Sequence, residues 1–192
     1  TLHGSSAASD VYKRQALSGA VSVSDGVGES VAATLLSTIA TGTSGTVTVG
    51  AAINITGTAD QVVAALDTNG VVASTATITL DDTPTVTELQ TLNGKTSGAI
   101  KIANGAITYS ANADVLAAAL DGTVTDGSGN SLTGNMTIAA AGGNPNATQL
   151  QTINNATTGT VFVPAKAVNL TGTRAVLVLS LIHISEPTRP SS

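Results

Sequence analysis

The heptapeptide Val86-Thr-Glu-Leu-Gln-Thr-Leu92 recurs along this chain, and the recurrence is the clearest indication of its architecture. The related segments are Ala33-Thr-Leu-Leu-Ser-Thr-Ile39 and Ala147-Thr-Gln-Leu-Gln-Thr-Ile153, which start 53 residues before and 61 residues after Val86. Each one is followed by a small turn and a short alternating run, as in Ser97-Gly98 and Ile100-Lys-Ile102. Self-similarity at such a period predicts a protein assembled from stacked structural units.

A second repeated block follows the first. Its copies are Ala52-Ile-Asn-Ile-Thr-Gly-Thr-Ala-Asp60, Ala106-Ile-Thr-Tyr-Ser-Ala-Asn-Ala-Asp114 and Ala167-Val-Asn-Leu-Thr-Gly-Thr173. The first two copies lead into the apolar runs Val62-Val-Ala-Ala-Leu66 and Val115-Leu-Ala-Ala-Ala-Leu120. The extra length between the later copies lies in residues 121–135, which are dense in Gly, Ser, Asn and Asp. We expect these residues to form a surface loop.

Both blocks carry the pattern of short amphipathic helices. Ala59, Val62, Val63 and Leu66 fall at the spacing that places apolar side chains on one helical face. Three pairs of residues have the spacing of a capping box at a helix start: Thr58 with Gln61, Thr85 with Glu88, and Asn146 with Gln149. The sequence therefore predicts two short helices in each repeat.

Between the predicted helices, β-branched and polar residues alternate in the manner of short strands. These runs are Val21–Val23, Val47–Val49, Ile53–Ile55, Thr75–Leu80, Ile100–Ile102 and Met136–Ile138. Alternating strands and helices predict parallel strands joined by helical crossovers. We predict an α/β fold, a repeat solenoid of short parallel strands and short helices. Tandem β-sandwiches, which need about seven strands in each unit of about 100 residues, and a β-helix remain as alternatives.

The two ends of the chain resemble laboratory DNA read from opposite strands. Asp10-Val-Tyr-Lys-Arg-Gln15 is the translation of GATGTGTATAAGAGACAG, and the reverse complement translates to Leu179-Ser-Leu-Ile-His-Ile184. This DNA resembles the mosaic end of a sequencing-library transposon. We therefore predict that residues 1–15 and 179–192 are adapter-derived and non-native. Residues 16–178 would then hold about two and a half α/β repeats of a longer protein: units near 33–85, 86–146 and 147–178, after a partial unit at 16–32.

The composition argues against several classes of function. The chain has 12 acidic against 7 basic residues and no Cys. Residues 16–178 contain no His or Trp, and their only cations are Lys95, Lys101, Lys166 and Arg174. Nucleic-acid binding needs clustered cations, and a nucleophilic enzyme needs a positioned base. No natural apolar run approaches the roughly 20 residues of a membrane helix. We therefore expect neither nucleic-acid binding, nor catalysis, nor a membrane span.

Parts of the repeat resemble a known class of protein. Ile55-Thr-Gly-Thr-Ala-Asp60, Thr79-Leu-Asp-Asp-Thr-Pro-Thr-Val-Thr-Glu-Leu89 and Gln149-Leu-Gln-Thr-Ile-Asn-Asn-Ala-Thr-Thr-Gly159 are similar to Thr/Ala-rich repeats of large secreted bacterial adhesin-like and hemolysin-type (β-strand-repeat) proteins. The resemblance implies an extracellular or cell-surface protein whose repeats act as a spacer, scaffold or adhesive surface. The expected partners are neighbouring repeats of the same chain, surface glycans or other cells. No catalytic residues come with this resemblance.

One loop has a pattern that calcium sites use. Asp126, Ser128 and Asn130 place oxygen-bearing side chains at alternate positions, although the loop lacks the distal bidentate Glu of an EF-hand. A polar hairpin tip explains the same pattern. A calcium- or glycan-binding repeat module is therefore the alternative to a structural or adhesive segment, with calcium as the only candidate cofactor.

Acidic residues also stand close to the predicted helices. Asp81 and Asp82, with the aligned Asp25, follow a strand and precede a helix, so they are expected to interact favourably with a helix N-terminus. A second interpretation is that Glu88, with Asp81 and Asp82, supplies the paired carboxylates that glycoside hydrolases use. This stretch has no aromatic residue to hold a sugar. We therefore favour the capping role for Glu88.

Overall fold

The computed structural model describes residues 17–139 and 144–163 of the chain. The predicted adapter-derived segments, residues 1–15 and 179–192, lie outside the described residues, as does the third copy of the second block.

Short strands and short helices alternate along the described residues. The strands are β1 Val21–Val23, β2 Ser30–Ala32, β3 Val47–Val49, β4 Asn54–Gly57, β5 Thr77–Leu80, β6 Ile100–Ile102, β7 Tyr109–Ala111, β8 Val124–Asp126, β9 Met136–Ile138 and β10 Val161–Phe162. The helices are α1 Ala33–Thr41, α2 Ala59–Val63, α3 Val86–Asn93, α4 Ala113–Leu120 and α5 Ala147–Ala156. Helix α2 continues directly into a π-helical turn, Ala64–Thr68.

The strands form three sheets, and every pairing within them is parallel. One sheet has the order β2-β4-β5-β6-β8, another the order β10-β9-β7, and β1 pairs with β3. Five register-matched side chains of the largest sheet form one buried apolar row: Val31, Ile55, Ile78, Ile100 and Val124. The described part is therefore a mixed α/β fold with parallel sheets, as predicted. Immunoglobulin-type sandwiches are antiparallel, so this pairing does not fit that alternative.

The helices contact one another in chain order. Helix α1 packs on α2 and its π-helical turn, α2 packs on α3, α3 on α4, and α4 on α5. On the predicted apolar face of α2, Ala59, Val62 and Leu66 are buried, and Val63 is partly buried against the core. The helices thus bury their apolar stripes against neighbouring helices and the sheets.

The three predicted capping boxes are confirmed. In α2, α3 and α5 the side chain of the N-cap residue accepts a hydrogen bond from the N3 backbone N–H, and the N3 side chain accepts one from the N-cap backbone. The N-cap residue of α1, Ala32, forms no side-chain capping hydrogen bond, and the Asn112 side chain does not cap α4.

The expectation of a surface loop at residues 121–135 is confirmed only in part: most of the segment is exposed, but it is not a loop throughout. These residues include β8, which pairs with β6, and Leu132, which forms a parallel bridge with Thr157. Val124 is 5% exposed and Leu132 is fully buried. Because burial of such side chains is favourable, two apolar residues draw a polar segment into the sheet.

Candidate functional site

The buried polar residues of the described part are three threonines, and each lies in a turn at the same position of the repeat. Thr43, Thr96 and Thr157 each open a Thr-Ser-Gly or Thr-Thr-Gly turn after a first-block helix. The Thr157 hydroxyl lies 2.7 Å from the carbonyl oxygen of Gly134, and it accepts a hydrogen bond of 2.9 Å from the N–H of Gly159. Each threonine therefore joins its own turn to a preceding segment of the chain.

The other two turns repeat this arrangement. The Thr96 hydroxyl donates to the carbonyl oxygen of Ala76 and accepts from the N–H of Gly98. The Thr43 hydroxyl lies 2.8 Å from the carbonyl oxygens of both Leu17 and Gly19. Turns at three places along the chain thus make the same contact.

Glycine is required in these turns because two backbones approach closely there. A Cβ atom on Gly98 would overlap the carbonyl oxygen of Ala76. Gly45 faces Gly19 and Gly159 faces Gly134 in the same way. A side chain at any of these positions would push the segments apart. The small turns recognised in the sequence are therefore contact points between segments.

Acidic side chains gather where α2 and α3 begin. The N–H of Ala59, at the start of α2, donates to Asp82 Oδ1 over 2.9 Å. Asp82 was expected to act at the helix N-terminus that follows it, but it caps the preceding helix instead. Asp81 is exposed at the end of β5, and Asp25 is exposed in the turn between β1 and β2. The stacking of segments, rather than sequence proximity, decides which helix a carboxylate serves.

The carboxylate that interacts with Glu88 is Asp60. Proximity in sequence predicted a group of Glu88 with Asp81 and Asp82 instead. A direct hydrogen bond with the Glu88 carboxyl group raises the pKa of Asp60, and the negative charge of Glu88 acts in the same direction. Hydrogen bonding to the Thr85 side chain is the main cause that lowers the pKa of Glu88. The signal available in the sequence was the block register: Asp60 ends the second-block motif, and α3 is the helix that stacks on it.

Glu88 and Asp82 accept hydrogen bonds from backbone N–H groups at helix starts. Glu88 Oε2 accepts the backbone N–H of Thr85 over 2.7 Å, as Asp82 accepts that of Ala59. Negative charge at a helix N-terminus is stabilising. The arrangement accounts for Glu88 and Asp82 as capping groups, and its one unusual feature is the raised pKa of Asp60 beside Glu88.

A tyrosine links two segments beside this cluster. The Tyr109 hydroxyl donates to the carbonyl oxygen of Pro84 over 3.1 Å, just before α3 begins. Burial raises the pKa of Tyr109, and the charge of Glu88 adds to the effect. Tyr109 therefore remains a neutral hydrogen-bond donor.

The predicted calcium loop is closed by hydrogen bonds of its own. Asp126 Oδ1 accepts the backbone N–H groups of Ser128, over 2.9 Å, and of Asn130, over 2.7 Å. Asn130 Nδ2 donates to Asp126 Oδ2 over 3.3 Å. The Asn130 backbone hydrogen bond is the main cause that lowers the pKa of Asp126. Such an Asx-turn accounts for the residue pattern, and the calcium site stays a prediction.

A shallow cleft lies beside β8. It has a volume of about 320 Å³ and lies between the end of α4 and α5, with Thr123, Ser131 and Asn155 among its lining residues. Thr125 also lines it, although its buried hydroxyl oxygen has no hydrogen-bond partner within the described part of the chain. The lining has no aromatic side chain against which a sugar ring could stack.

The surface charge is mostly acidic. Lys95 Nζ lies 2.7 Å from Asp67 Oδ1 and joins the end of α3 to the π-helical turn. Both side chains are well exposed, so this pair contributes little to stability. Within residues 17–139 and 144–163, no helix is long and apolar enough to cross a membrane.

Comparison with known proteins found no matching family model, no matching curated protein and no matching solved structure.

Proposed function

We propose that the described residues are part of an α/β repeat solenoid, which serves as a non-catalytic structural or adhesive segment of a large exported bacterial surface protein. One observation carries the proposal. Side-chain hydrogen bonds between distant residues in the described part span 20 to 26 positions, and all others span at most four.

This narrow range supports a stack over a single non-periodic core. In a solenoid each unit contacts only its neighbours, so long-range bonds connect positions one unit apart. In an ordinary domain the separations would vary widely. The 53-residue sequence repeat contains two helices, so one turn of the proposed stack corresponds to about half of a sequence repeat.

The outer side of the largest sheet supports the adhesive role. Thr56, Thr79 and Lys101 are register-matched and form a partly exposed, mainly threonine row. A surface of this kind offers weak, repeated hydroxyl contacts. Repetition adds such contacts through effective concentration. The resemblance to adhesin-like repeats points to the same role.

Duplication of one sequence repeat tests the solenoid. A second copy of residues 43–95 is inserted after Lys95, so that a Thr-Ser-Gly turn again follows α3. Because strands stack about 4.8 Å apart, two added units should lengthen the particle by about 10 Å in small-angle X-ray scattering. A cooperative thermal transition should remain. The matched control carries a Gly/Ser-rich insert of equal length, which adds disordered chain and no helix or strand signal in circular dichroism.

A duplicate that is unfolded, or that is no longer than the parent, contradicts the solenoid.

The adhesive role is tested with the same proteins on immobilised glycans. Retention should increase with repeat number and decrease when the partly exposed Thr56 and Thr79 of the threonine row are replaced by Ala. Equal retention by all variants contradicts adhesion. Binding that needs calcium and disappears in Asp126→Ala identifies the alternative, a calcium-dependent module.

A further inference from the structure

Exposed apolar side chains are concentrated in the first described segment. Five large apolar side chains of the described part are exposed: Leu17 (66%), Val27 (81%), Leu35 (54%), Val72 (46%) and Phe162 (37%). The first three of them belong to residues 17–41.

Strand edges lie at the same end of the molecule. Within residues 17–139 and 144–163, β1 pairs only with β3, and β2 pairs only with β4. An edge strand presents unpaired N–H and C=O groups to any chain that runs alongside it. We call the surface formed by β1, β2 and α1 the open face.

The internal repeat shows what covers an equivalent surface. Helix α1 belongs to the first block, like α3 and α5. Helix α3 packs on α2 and α5 packs on α4, and both α2 and α4 are second-block helices. Leu35 aligns with Glu88, near the start of α3, and α3 packs on α2. By its place in the repeat, Leu35 therefore lies on a helix of the kind that packs on a preceding second-block helix.

The chemistry of this position suits an apolar neighbour. In α3 and α5 it carries Glu88 or Gln149, each closing a capping box. Helix α1 has Leu35 there, and its N-cap is Ala32, without a side-chain hydrogen bond. Terminal caps of solenoids are normally polar on the outside. An apolar first turn at the end of a stack indicates an interface.

We infer that the open face binds one further strand-helix unit of the second-block type, like Asn54–Thr68, with its strand parallel to β2 and its helix against Leu35. This inference rests on the proposed solenoid. It extends the contact between α2 and α3 by one unit in the direction of Leu17.

The test places such a unit in front of the open face. Residues 1–16 are replaced by a copy of residues 43–70, and Leu35→Cys supplies a reporter thiol in a chain that has no other cysteine. If the added unit covers the open face, labelling of this thiol should be about tenfold slower than in the parent carrying Leu35→Cys. The melting temperature should also rise. The control fusion carries the changes equivalent to Val62→Asp and Leu66→Asp in the added copy alone.

Equal labelling in the parent and both fusions overturns the inference. Labelling that slows in the parent as its concentration rises also overturns it, because the face then binds a second copy of the chain. A Thr48→Cys/Val72→Cys pair, introduced into the fusion without Leu35→Cys, separates this inference from the proposed solenoid. If that disulfide forms and Leu35→Cys stays reactive, only the inference fails; if the disulfide does not form, the solenoid fails.

Discussion

Single threonine hydroxyls connect successive segments of this protein. Thr96 is 8% exposed, and its hydroxyl donates to the carbonyl oxygen of Ala76 while it accepts from the N–H of Gly98. Both backbone groups would lose their partner if the hydroxyl were removed. A buried polar group left without a partner is more costly than the net value of one hydrogen bond.

Replacement of Thr96 by valine tests this contact. Thr96→Val keeps the shape and removes the hydroxyl, so it should lower the free energy of unfolding by about 1–3 kcal/mol in urea titrations. Thr96→Ser keeps the hydroxyl and should recover most of the loss. The exposed Thr46→Val is the matched control and should have little effect. Equal stability of the Thr96→Val and Thr46→Val variants would show that the Thr96 hydroxyl does not contribute to the free energy of unfolding.

The raised pKa of Asp60 gives a pH-dependent prediction. Because the pKa of Asp60 is raised in the folded protein, the folded state binds a proton more readily than the unfolded state. Asp60 therefore lowers stability at neutral pH, and this effect is relieved as the pH falls through its folded pKa. Asp60→Asn should therefore raise the melting temperature at pH 7. In this variant, the gain in stability that Asp60 gives on acidification should be absent.

Glu88→Gln is the background in which to repeat this experiment. Glutamine serves the same position in the boxes of α2 and α5, as Gln61 and Gln149, so the cap should survive. Since Glu88 is the main cause of the raised pKa, Asp60→Asn should then have little effect. If Asp60→Asn raises the melting temperature as much in the Glu88→Gln background, Glu88 is not the cause of the raised Asp60 pKa.

At the level of helices and strands, local signals and stacking share the control of structure. With the π-helical turn of α2 included, the helices are two to three turns long, a length that is marginal in water without tertiary contacts. Capping boxes at Thr58, Thr85 and Asn146 satisfy backbone N–H groups at three of the helix starts. Packing against the neighbouring helices supplies the rest.

Loss of one cap should be measurable. Thr85→Ala removes the oxygen that accepts the Glu88 N–H, and we expect about 1 kcal/mol less stability in chemical denaturation. Thr87→Ala is the control, because Thr87 is exposed on the same helix. If the two variants unfold at the same denaturant concentration, the box contributes nothing to stability.

Burial separates two leucines that look alike in the sequence. Leu116 of α4 is fully buried, whereas Leu35 of α1 is 54% exposed. Leu116→Ala should cost about 2–5 kcal/mol, the usual range for a leucine deletion in a packed core. Leu35→Ala should change the free energy of unfolding much less. Comparable losses for the two variants would place Leu35 inside the core.

The local features of the fold were predictable from the sequence, and the non-local ones were not. Capping boxes and alternating strands depend on residues a few positions apart, so their patterns are visible directly. The Asp82 contact with Ala59 and the Asp60 pair with Glu88 depend on which segments stack. Strand β8 was missed because two buried apolar residues lie among many turn-forming ones.

At the scale of the whole molecule, every strand pairing within residues 17–139 and 144–163 is parallel. The row from Val31 to Val124 runs through five strands in chain order, with little beyond aliphatic side chains in the core. Helices α1 to α5 follow one another in the same order. In the proposed solenoid, stability is the sum of such neighbour contacts.

Cysteine pairs along one line of strands test this stack most directly. Ser22, Thr48 and Val72 are exposed and lie side by side, Ser22 paired with Thr48 and Thr48 with Val72. Adjacent parallel strands are about 4.8 Å apart, a distance within the range of Cα separations that a disulfide spans, whereas residues two strands apart lie beyond its limit of about 7 Å. The chain has no cysteine of its own.

The measurement is the rate of disulfide formation in three double variants under mild oxidation. Ser22→Cys/Thr48→Cys and Thr48→Cys/Val72→Cys should both close rapidly in the folded protein, and Ser22→Cys/Val72→Cys should not. Similar rates for all three pairs, or fastest closure of the Ser22 and Val72 pair, would contradict the stacking of successive segments.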